Sequence, residues 1–185
     1  MQTTQELLQK LSEGKPVGKG FADDVAAYIL QQGPELLIAL WPGLTHAPPL
    51  LRSRTAHVLE TVAKQKPEWL QPFQPEILHQ MAKPDLDKAF YFHIPPIMGL
   101  LKWPDEDVAL VVERLEHWLQ HIDHQFVKVF CLQSLTDISV RHPWLRHEVE
   151  ELIHQHMAKG GKAINARGRM LLKTLWKLEM LSQNL

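Results

Sequence analysis

Two stretches of the chain, KPEWLQPFQPEILHQMAK from Lys66 to Lys83 and HPWLRHEVEELIHQHMAK from His142 to Lys159, write one pattern twice, 76 residues apart. Aligned on Met81 and Met157, they also superpose Pro67 on Pro143, Leu59 on Leu135, Val62 on Ile138 and Ile77 on Ile153. Halving the interval predicts a third copy, with apolar side chains at 97, 100, 115 and 119. Ile97, Leu100, Leu115 and Leu119 stand there. A chain that repeats every 38 residues or so folds by stacking copies of one supersecondary unit, because a single unit cannot bury its own apolar faces.

Each unit reads as two helices. In DHQFVKVFCLQSLTDISV, the residues Phe126, Val127, Phe130, Cys131, Leu135 and Ile138 fall at spacings of three and four, the period of a buried helical stripe. His142-Pro143 then ends one helix and opens the next, since proline suits a first helical position and disfavours helix in the residue before it. The same punctuation stands in KPEW at 66, in KWPD at 102 and, more loosely, in GPEL at 33. Alternating Val/Ile/Thr runs and Asn-Gly turns are missing, so strands are not expected.

Residues 21–41 read as a shortened first unit and 162–181 as a closing helix. Residues 1–20 read as a short helix, with Thr3 and Glu6 at capping-box spacing, followed by a flexible linker, GKPVGKG. The repeat region is expected over 21–185. Pro95 and Pro96, inside FYFHIPPIMGLL, predict a kink or break near Ile94, which is either mere curvature or an opening beside Tyr91 and His93. Trp69, Trp103 and Trp144 all lie near turns between paired helices and are expected to plug the ends of layers.

The stretch RTAHVLETVAKQKPEWLQPFQPEILHQMAK, with its apolar first helix, proline turn and ILHQM second helix, resembles a HEAT unit. Over residues 21–181 the chain is similar to the HEAT and armadillo-type α-solenoids. The resemblance implies an all-α fold, a short right-handed solenoid of antiparallel helix pairs whose second helices line a concave surface. It also implies a protein or peptide partner on that surface. The residues expected to meet it are Glu113, His117, Gln120, His147, Glu151 and His154. A family of alkylpurine DNA glycosylases shares this architecture, so a nucleic-acid-binding or repair protein is the alternative, although Glu113, Glu116 and Glu151 stand where a basic lining belongs.

Candidate chemistry is sparse. GKPVGKG lacks the four-residue glycine interval and the Ser or Thr of a phosphate-binding loop. Glu113, His117 and His121, four apart, share a helix face that either holds a divalent metal, with His117 and His121 as ligands, or is an ordinary wet surface. Trp118 occupies the place of the glutamate in the HExxH pattern. Cys131, the only cysteine, sits on the apolar stripe as a buried thiol with no disulfide partner. From Leu152 to Leu178 there is no acid. Lys162, Arg167, Arg169, Lys173 and Lys177 form a basic run suited to phosphates or to an acidic surface, or simply to a polar cap. With a net charge of −1, no global field draws the chain to nucleic acid or membrane. No signal-like or membrane-spanning run is visible. The expectation is a cytoplasmic, non-catalytic binding module without a cofactor.

Overall fold

The computed structural model describes residues 4–45, 47–83 and 88–182, and for Thr4, Ala89 and Ser182 the backbone alone. Among the described residues every regular element is helical and none is a strand. Thr3 of the expected capping box lies outside the described residues. The chain divides into two compact units, Met1–Ile97 and Met98–Leu185.

The first unit holds α1 (Thr4–Ser12), α2 (Ala22–Gln32), α3 (Glu35–Leu40), α4 (Pro42–Thr45), α5 (Pro49–Ala63), a 3-10 segment (Pro67–Phe73), α6 (Gln74–Met81) and the start of α7 (Lys88–Leu100). Helix α5 is its axis, packed on α1, α2, α4 and the 3-10 segment. It starts with Pro49 in the first turn, where the missing N–H costs nothing. Its stripe of Thr55, Val58, Leu59 and Val62 is fully buried, as are Leu7 and Leu11 on α1. Helices α2 and α3 are separated at Gly33, whose φ of 129° is open to glycine and whose N–H bonds to the Ile29 carbonyl. The ring of Trp41 stacks on Phe73 with centroids 4.5 Å apart.

Arg54 belongs to that buried stripe and is only 1% exposed. Its guanidinium donates to four backbone carbonyls: Leu11 at 2.7 Å, Glu13 at 2.7 Å, Lys15 at 2.5 Å and Gly18 at 3.0 Å. The segment expected to be a linker is therefore the one whose carbonyls converge on Arg54. Gly14, Gly18 and Gly20 all have positive φ there. A phosphate-binding loop turns N–H groups inward; this one turns C=O groups inward, around a cation.

The second unit contains the last turn of α7, α8 (Asp105–His121), α9 (Gln125–Arg141), a 3-10 turn (Pro143–Leu145), α10 (Arg146–Lys159) and α11 (Lys162–Ser182). Helix α9 is the axis, contacting α8, α10 and α11. It is buried nearly all round, as central helices are. Val127, Cys131, Leu135 and Ile138 lie inside, together with Ser134, Thr136 and Ser139. Those three hydroxyls bond to carbonyls one turn earlier (Phe130, Leu132 and Thr136), which satisfies them in an apolar setting. Helix α8 opens with Asp105, Glu106 and Asp107 on the positive end of its dipole. His142 Nδ1 lies 3.3 Å from Asp105, tying the end of α9 to the start of α8.

Three expectations need correction. Helix α7 runs from Lys88 to Leu100 through both prolines, without the break expected near Ile94. Burial of Phe90, Ile94, Ile97 and Met98 holds the helix on both sides of the missing donors. Phe126, placed on the buried stripe by spacing, is 56% exposed, with its ring against His124. Only one tryptophan fully plugs a turn. Trp103 is buried and donates to the Met98 carbonyl at 2.9 Å, whereas Trp69 is half-buried and Trp144 is 64% exposed.

Candidate functional site

The histidines expected to carry chemistry do not converge. His117 and His121 stack ring on ring, with centroids 4.2 Å apart, and the His121 Nδ1 lies 2.8 Å from the His117 carbonyl. A metal site needs ring nitrogens aimed at one point, and no group of three His, Cys, Asp or Glu side chains is so arranged among the described residues. On α10, His147 lies 3.5 Å from Glu151 and His154 3.9 Å from Glu150, each pair one turn apart on that helix. Glu113 is exposed and stands 4.0 Å from its neighbour Arg114. Cys131 is fully buried, and burial pushes its thiol far above the usual range, so it is no nucleophile near neutral pH.

Helices α8 and α10 do share an electrostatic border. Glu116 is raised above its ordinary value by burial and then by the charge of Glu148. One turn further along α8, Gln120 joins Lys128 of α9, Leu152, Gln155, His156 and Lys159 of α10, then Gly160 and Ile164, around a cleft of about 400 Å³. Of the residues expected to face a partner, only Gln120 reaches it. The sequence pattern missed Lys128, Gln155 and His156. The visible signal was His156 and Lys159 one turn apart before Gly160; Lys128, on another helix, could join them only through the tertiary fold.

Helix α11 carries the basic run as expected from its spacing. Lys162, Arg169, Lys173 and Lys177 are exposed, whereas Arg167 is half-buried and close enough to Asp137 to act on its carboxyl. What the spacing did not reveal is the apolar company: Met170 (59% exposed), Trp176 (50%) and Met180 (62%) lie on the same side. The Trp176 indole N–H donates to Glu150 at 2.7 Å, which fixes the ring while leaving half of it in solvent.

The first unit holds a polar chain of its own. Lys19 pairs with Asp23, which accepts from His57 at 2.9 Å; the His57 and His93 rings meet edge to face at 5.7 Å; His93 bonds to Glu60 at 2.5 Å, and Lys64 completes the run. Burial raises Glu60, but the hydrogen bonds and charges of His93 and Lys64 outweigh it and leave the carboxyl below its ordinary 4.5. A depressed acid stabilises the fold above its unfolded value and loses that contribution as the pH falls through the folded value. Glu60→Gln is therefore expected to flatten the fall of melting temperature below pH 4.5. Thermal melts of both proteins across that range check it, and parallel curves would contradict it.

Compared with protein-family models, curated proteins and solved structures, the chain matches none. No helix among the described residues is long and apolar enough to cross a membrane. The class defined so far is an all-helical protein with a mixed basic and apolar outer helix and a polar cleft.

Proposed function

We propose that this chain is a non-catalytic, HEAT-like helical-repeat module that binds a protein or peptide partner. The observation that carries the reading is the outer face of α11, where Met170, Trp176 and Met180 stand exposed among Arg169, Lys173 and Lys177. Exposed Trp, Met and Arg gathered on one face are the composition of protein-binding surfaces. A repeat architecture is supported by the starts of the second helical segments at residues 67, 105 and 143, each 38 after the last. The fitting partner is an acidic amphipathic segment, its carboxylates meeting the lysines and its apolar side chains covering the methionines.

Nucleic acid would use the same cations. The methionines decide against it, because a phosphate backbone offers them nothing to cover. The test is a photo-crosslinking side chain at Met170, irradiated in the cell of origin with the exposed Gln31 position as control. A discrete, nuclease-resistant protein adduct from position 170 alone is expected. Adducts that vanish with nuclease, or identical products from both positions, would overturn the reading. A cytoplasmic location belongs to the same proposal.

A further inference from the structure

The cleft at the junction of α8, α9, α10 and α11 is independent of the α11 outer face, and its chemistry is narrower. Two lysines, Lys128 and Lys159, one histidine, His156, and two glutamines, Gln120 and Gln155, are among the residues that line it. None of its lining residues is acidic. Asp123, whose side chain is fully exposed, pairs with Lys128 at 3.6 Å and does not line the cleft. The side chains of Gln120, Gln155 and Lys159 make no hydrogen bond or ion pair within the described structure, so their donors are uncommitted. Both lysines act on His156: its proton affinity is lowered by burial, then by Lys128 and by Lys159. Three cationic or cation-forming groups from two helices thus crowd one space, an arrangement that an anion relieves. The first turn of α11, which has no acid of its own, borders the cleft through Ile164 and adds the positive end of its dipole.

We propose that this cleft binds a small organic phosphomonoester. The donors carried by Lys128, His156, Lys159 and the two glutamines around this cleft suit a tetrahedral dianion, whose oxygens accept from several directions, better than a planar carboxylate with two. A volume of about 400 Å³ lies in the range of small-molecule sites and exceeds what a bare phosphate fills. Leu152 and Ile164 supply an apolar wall for the attached organic group.

The experiment is titration of the intact chain with phenyl phosphate, inorganic phosphate and malonate at fixed ionic strength. It is followed by calorimetry and by the ring resonances of His156. Saturable binding of phenyl phosphate that moves the His156 signals is expected, with inorganic phosphate and malonate weaker. Lys159→Gln should weaken it about tenfold, the worth of one charge-assisted contact, and Lys128→Gln should do the same. Lys173→Gln, on the outer face of α11, should leave it unchanged. Lys159 is exposed, so its replacement leaves the fold intact. No saturable binding, equal losses from Lys173→Gln, or malonate binding as tightly as phenyl phosphate would overturn the proposal. Equal affinity for inorganic phosphate would overturn the organic group.

Discussion

Arg54→Ala is expected to destabilise the Met1–Ile97 unit by about 3 kcal/mol, roughly two charge-assisted hydrogen bonds' worth. The four carbonyl bonds are not summed, because once the guanidinium is gone the segment can lift and its carbonyls regain water. The residual cost is the packing that the cation organises: Leu7 and Leu11 of α1 are fully buried, and α1 rests on α5. Loss should therefore show first as local opening. Amide exchange in α1 and proteolysis between residues 13 and 20 should accelerate before α5 itself is exposed. Arg54→Lys separates charge from geometry. A lysine supplies the cation but not the planar fork that reaches carbonyls of residues 11, 13, 15 and 18 together, so less than half of the loss should be recovered. Gly20→Ala should reproduce part of the effect from the opposite side, since its Cβ would lie 2.6 Å from the Arg54 Cζ at a φ of 52°. Denaturant unfolding with hydrogen exchange checks all three. A lysine variant as stable as the parent would show that charge alone suffices.

That cage shows how far the sequence could be read. Helicity, the proline-started second segments and the buried Cys131 follow from local rules: spacing, proline chemistry and a stripe of period 3.6. Arg54 was legible in principle, standing four residues before Val58 and eight before Val62, on the stripe itself. A charged residue in a core register announces that something must neutralise or bond it, but the sequence does not say that the partners are carbonyls 36 to 43 residues upstream. The cleft was illegible for a related reason. Lys128 and His156 look like ordinary exposed helix residues until α9 and α10 pack, and their meaning lies in the distance between them. Conversely, Phe126 obeyed the periodic rule and was still exposed, because a residue in the first turn of α9 projects beyond the helices that cover the middle.

Gly99→Ala is expected to cost the Met98–Leu185 unit about 2 kcal/mol, although alanine is the better helix former. A Cβ at Gly99 would stand 2.9 Å from the Ser134 Cα and 3.1 Å from both the Ser134 hydroxyl and the Asp137 carboxylate. The nearest atom is the backbone of α9, the most enclosed helix of the unit, and it cannot swing aside. The end of α7 must move instead, and with it the Gly99 and Leu101 carbonyls, each of which accepts from Arg141 Nη2 at 2.8 Å. Those bonds satisfy carbonyls at the helix terminus that have no partner within it. Arg141→Ala should consequently be less than additive with Gly99→Ala, because both act on the same two carbonyls. Gly168→Ala is the contrast. Its Cβ would press on the Met157 side chain, with Cγ at 2.6 Å, and methionine is flexible enough to repack. There the gain in helix propensity of about 1 kcal/mol should offset most of the crowding. One substitution at two buried glycines should thus give a clear loss at 99 and little change at 168 in thermal melts. Equal losses would mean that the α10–α11 contact is as unyielding as the seat of α7 on α9.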